Sequence, residues 1–114
     1  MKKILLVEDE PLIAAVVSAT FQKHGFSVLG PFDSVDAALA LLARETPDAA
    51  LLDVNLYQEH SYPIAMRLRE MRVPYAFFTA YENASLPEGF ENDPVIAKNL
   101  PRAEIVERIS ALLA

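Results

Sequence analysis

Two kinds of apolar segment alternate along the chain. The first kind is short and unbroken: Ile4-Leu5-Leu6-Val7, Ser27-Val28-Leu29-Gly30, Ala49-Ala50-Leu51-Leu52, Tyr75-Ala76-Phe77-Phe78 and Val95-Ile96-Ala97. Runs without polar alternation suit strands covered on both faces of a parallel sheet. The second kind is longer and recurs at steps of three and four. It comprises Leu12, Ile13, Val16, Val17, Thr20 and Phe21; Ala38, Leu41 and Leu42; Ile64, Leu68 and Met71; and Ile105, Ile109, Leu112 and Leu113. Each set predicts a helix with one buried face.

Boundary residues agree with this division. Pro11 can open the first helix, where its missing N–H costs nothing. Gly25 can close that helix in the left-handed conformation. Ser34 is placed to cap the second helix, with Asp36 in its first turn, and Ser61 and Pro63 mark the start of the third. The order is β-α-β-α-β-α-β-x-β-α, which implies a doubly wound α/β fold with a parallel sheet. The segment x, residues 82–93, holds Pro87, Gly89 and several turn formers but no clean apolar face. It predicts a loop or short turns in place of a full fourth helix, with few apolar contacts and low local stability.

Composition narrows the class. A chain of 114 residues builds one core, and 53% apolar with 23% charged residues is ordinary for a soluble globular domain. The net charge of −6 disfavours binding to a phosphate backbone. Without cysteine there is no disulfide, no Cys-ligated zinc and no thiol chemistry. The longest apolar runs span about seven residues against the roughly twenty a bilayer requires. The start, MKKILLVEDE, breaks off into acids too soon for a signal peptide. The expectation is a single cytoplasmic domain over residues 1–114, with no output domain and neither nucleic acid nor membrane as partner.

In an open parallel sheet, ligands bind beyond the carboxyl ends of the strands. Those ends carry Glu8-Asp9-Glu10, Asp53, Thr79 and Lys98. Singly, each has an ordinary reading: a helix N-terminal charge, a turn residue, a strand threonine, a solvated lysine. Together they suit one phosphoryl-transfer site. Crowded carboxylates need a cation to offset them, and hard oxygen ligands suit Mg²⁺. An aspartate there can attack phosphorus, while an ammonium and a hydroxyl neutralise the transferred group.

The series ILLVEDE, LLDVNL, FFTAY and VIAKN, in that order across the whole chain, resembles the receiver domain of bacterial two-component response regulators. The resemblance implies a flavodoxin-like five-stranded sheet of order 2-1-3-4-5. It implies Asp53 as the phosphoacceptor, and Asp9 as a Mg²⁺ ligand with Glu8 helping through water. The carbonyl of Asn55 would complete the metal shell, Thr79 would bond the phosphoryl group and Lys98 would pair with it. A sensor histidine kinase or histidine phosphotransfer protein would be the donor. Glu10 matches no ligand and reads as a helix N-terminal acid.

The sequence departs from that family at several points. Asn99 stands where proline usually follows the lysine, which predicts a trans bond and a less favourably placed Lys98. Val95 stands where an aromatic ring often switches inward. Tyr81 could take over that switch, cover the site, or be an ordinary loop residue. Phe77-Phe78-Thr79-Ala80-Tyr81 is similar to the Phe-Ala-Thr-Gly-x-Tyr-type motif of a stand-alone subgroup, with Ala80 for its glycine. His24, Glu59, His60, Met66 and the arginines Arg67, Arg69 and Arg72 read as solvated or packing residues. A competing expectation is a non-phosphorylated interaction module on the same scaffold. A flavin carrier or small phosphatase is disfavoured, since Glu-Asp-Glu-Pro after strand one would repel phosphate in the absence of a metal.

Overall fold

The computed structural model describes residues 1–80 and 86–114. Tyr81 and residues 82–85 of the weak segment lie outside the described residues. The main strands are β1 (Lys3–Val7), β2 (Ser27–Phe32), β3 (Ala49–Asp53), β6 (Tyr75–Thr79) and β7 (Val95–Ala97). A small hairpin, β4 (Asn55–Leu56) and β5 (Glu59–His60), follows β3 directly. The helices are α1 (Pro11–Lys23), α2 (Val35–Leu42), α3 (Tyr62–Met71) and α4 (Arg102–Leu112).

The five main strands form a parallel sheet of order β2-β1-β3-β6-β7. With β6 and β7 as its fourth and fifth strands, this is the expected 2-1-3-4-5 arrangement. The unbroken apolar runs have a direct cause. Ile4 and Leu6 join Leu51, Phe78 and Ile96 on one face, against Val17 and Phe21 of α1 and Ile105 and Ile109 of α4. Leu5 and Val7 join Leu52 and Phe77 on the other face, against Ala38 and Leu41 of α2 and Ile64 and Leu68 of α3. Successive strand residues point to opposite faces, so two helical layers demand apolar residues at every position.

The boundary chemistry is realised in detail. Pro11 is the first residue of α1, and Gly25 follows that helix at φ 89°. Ser34 Oγ accepts the Ala37 N–H at 3.2 Å, capping α2. Two expectations need correction. Leu12 is 77% exposed and is not part of the buried face of α1; Ala14, Val17 and Phe21 are. It sits in the first turn, at the end of the stripe. Strand β2 is half-exposed, since it is an edge of the sheet.

Residues 88–93 form turns, as the composition predicted. They are nonetheless anchored. Phe90 is buried and stacks on Tyr62, with ring centroids 4.9 Å apart. The Arg69 guanidinium lies 4.5 Å above the Phe90 ring and donates to Gly89 O and Asp93 Oδ2. The expectation of few apolar contacts therefore fails for this part of the segment. Among the described residues, no helix is long and apolar enough to cross a membrane.

Candidate functional site

The strand order reverses between β1 and β3, and a crevice opens there at the carboxyl ends. Glu8 and Asp9 follow β1, Asp53 ends β3, Thr79 ends β6, and Lys98 follows β7. Four separate chain segments thus converge on one edge. Asp9, Asp53, Asn55, Thr79 and Lys98 line an open cleft of about 290 Å³.

The acids crowd together: carboxylate oxygens of Glu8, Asp9 and Asp53 lie within 4.8 Å of one another. Glu8 and Asp53 are buried, and Asp9 is half-buried. Lys98 Nζ lies 2.8 Å from Glu8 Oε1 and 3.1 Å from Asp53 Oδ2. The Asp53 contact is a hydrogen bond. Glu8 Oε1 is close enough for an ion pair but off the direction of a hydrogen bond, so this buried oxygen has no hydrogen-bond partner. Its other oxygen accepts the Glu10 N–H at 3.1 Å, turning the chain into α1.

Burial first, then the Glu8 carboxylate, pushes the Asp53 carboxyl up to about 8, against the opposing pull of Lys98. Burial lowers the Lys98 ammonium, but the close Glu8 and Asp53 carboxylates outweigh it and hold the group above its ordinary value. Three crowded carboxylates against one ammonium leave an excess of negative charge that fits a divalent cation with oxygen ligands. Receiver domains bind Mg²⁺ at such an acidic site, and the cluster here has the composition for it.

Each residue singled out at the strand ends is at this edge. Asn99 does not displace Lys98: the Lys98–Asn99 bond is trans, and the Lys98 N–H donates to Thr79 O at 2.7 Å. That bond fixes the Lys98 backbone at the end of β6. Val95 pairs with Phe77 at the start of β7.

Sequence reasoning missed the hairpin. Its strands are two residues long, too short for any periodicity. Glu59, read as solvated, accepts the Val35 N–H at 3.1 Å and ties the hairpin to α2. His60 meets Asn55, with Nδ1 2.9 Å from Asn55 Oδ1. The only signal was proximity: both lie within a few residues of Asp53.

Comparison with known proteins agrees with this geometry. Residues 4–110 match the family described as response regulator receiver domain. The solution structure of SdrG from Sphingomonas melonis Fr1 is 35% identical with a TM-score of 0.84, covering 100% of this chain and 98% of that one. The receiver domain of a sensor histidine kinase from Pseudomonas aeruginosa PAO1, solved with magnesium coordinated in its active-site cleft, is 25% identical with a TM-score of 0.80, covering 98% and 97%. The sensory transduction protein LytT of Bacillus anthracis is 32% identical over 96% of this chain and 46% of its own length. The chain spans about half or less of the curated relatives it matches.

Proposed function

This chain belongs to the response regulator receiver family, and on that premise we propose that Asp53 accepts a phosphoryl group in a Mg²⁺-dependent reaction. Receiver domains accept phosphoryl groups from histidine kinases or phosphotransfer proteins, and one of these is the proposed donor. The phosphorylated form then changes partner binding. The observation that carries this reading is the cluster of Glu8, Asp9 and Asp53 with the Lys98 ammonium on Asp53.

Asp9, Asp53 and the Asn55 carbonyl would hold the cation, with Glu8 acting through water. Bound there, Mg²⁺ supplies positive charge to the acceptor and to the phosphoryl oxygens. Burial and the neighbouring Glu8 push the Asp53 carboxyl up to about 8, so in the metal-free protein it holds a proton more tightly than a free aspartate. A protonated acid is a poor nucleophile, so Asp53 reacts as the carboxylate, its proton passing to solvent before the attack. Its carboxylate oxygen then attacks phosphorus. The new O–P bond forms as the N–P bond of the donor phosphohistidine breaks, and the imidazole leaves with the bonding pair. Lys98 moves from its carboxylate partners to a phosphoryl oxygen, and the Thr79 hydroxyl donates to another.

Intact mass after incubation with a small phosphodonor tests this. Wild type is expected to gain one phosphoryl group with Mg²⁺ and none without it, and Asp53→Asn none in either case. Equal labelling of Asp53→Asn overturns the assignment. The reading as a non-phosphorylated interaction module is not favoured, because Lys98 reaches the acids despite Asn99.

A further inference from the structure

His60 is tied to one member of the acidic site. Gln58, at φ 59°, lets β4 fold back on β5. The Ser61 N–H donates to Val54 O at 3.1 Å, which makes Asn55 and His60 a non-hydrogen-bonded pair of the antiparallel ladder. In such a pair the side chains stand closest, and the backbone N–H and C=O turn away from the partner strand. The 2.9 Å contact of His60 Nδ1 with Asn55 Oδ1 follows from the first property. An outward-turned Asn55 carbonyl follows from the second. With a carboxamide oxygen as acceptor, Nδ1 carries the hydrogen and donates it.

The imidazole is itself braced. It stacks on Tyr62 with centroids 5.6 Å apart and planes at 29°, and Tyr62 stacks in turn on Phe90. Asn55 itself is exposed on this two-residue strand, between the buried Val54 and Leu56.

We propose that His60 is a positioning residue of the acidic site: the hydrogen bond from Nδ1 to Asn55 Oδ1 fixes β4 so that the Asn55 carbonyl is available to a divalent cation held by the neighbouring acids. The proposal rests on the metal-dependent reading of those acids. It gives work to a histidine that touches neither the phosphoryl group nor the metal. Partners that orient a ligand in this way commonly change metal affinity by about tenfold or more when removed.

The test is Mg²⁺ titration of the unphosphorylated protein at one fixed pH, followed by amide chemical shifts, with thermal unfolding as a control for fold. His60→Ala is expected to weaken Mg²⁺ binding by about tenfold. His60→Asn places an amide N–H near the position of Nδ1 without the ring, and is expected to bind within about twofold of wild type. His60→Phe keeps the stack without the donor, and is expected to bind as weakly as His60→Ala. Unchanged affinity in His60→Ala overturns the proposal. So does the reverse order, with Phe restoring and Asn failing, which would assign the effect to stacking. Absence of Mg²⁺ binding in wild type sinks the metal-dependent reading, and this proposal with it.

Discussion

Asp53 is the residue on which the electrostatics converge. Raised to about 8, chiefly by burial and then by Glu8, it binds a proton in the metal-free fold that the unfolded chain releases near 3.8. The sign follows: this group favours the fold most at low pH, and its contribution is lost as pH rises through about 8. A cation must displace the same proton, so Mg²⁺ affinity is expected to rise by about tenfold per pH unit below pH 8 and to level off above it. Calorimetric titration across that range checks this, and a flat profile contradicts it. Lys98→Met leaves buried Glu8 without its cation; urea unfolding without Mg²⁺ should show a loss on the order of 3 kcal/mol. The acids, Thr79 and Lys98 were legible in the sequence because each sits where an apolar run stops, and strand ends in a parallel sheet share one edge. Leu12 misled because helical spacing gives a direction around the axis, not where along the axis the sheet ceases to cover it.

At the scale of elements, the most informative region is the turn segment before β7. Arg69 bridges α3 to it, and the Tyr75 hydroxyl donates to Asp93 Oδ2 at 2.5 Å while accepting from Arg69 Nε at 2.8 Å. Burial, then the bond to Asp93, pushes the Tyr75 phenol up to about 12. Its stabilising contribution is intact below the ordinary tyrosine range near 10 and is lost as pH rises through 12. A phenolate absorbance titration should therefore show a step near 12 that Tyr75→Phe removes. Phe90→Ala should destabilise the fold by about 3 kcal/mol, since a buried ring leaves a hole. It should also speed amide exchange at Asp93, whose N–H is held by Phe90 O at 3.0 Å. Composition showed that this segment is no helix. It could not show the anchor, because Arg69, Tyr75 and Asp93 are far apart in sequence and meet only in the fold.

The whole molecule is a sheet between two independent apolar layers. Leu51 and Leu52 are chain neighbours but belong to different layers. Alanine at either should cost about 2–5 kcal/mol, a large share of the stability of a domain this size. The layers were legible because a doubly covered strand cannot alternate polar with apolar residues. The hairpin after β3 was not, and it leads to a consequence of another kind. Its tip, with exposed Tyr57, is a natural place to cut the chain. The piece before the cut carries β2, β1 and β3 with Glu8, Asp9, Asp53 and Asn55; the piece after it carries β6 and β7 with Thr79 and Lys98. One fragment would own the acceptor and the metal ligands, and the other the groups that neutralise the transferred phosphoryl. Neither fragment is complete as a receiver, so phosphoryl uptake by a mixture of the two would report that they had met.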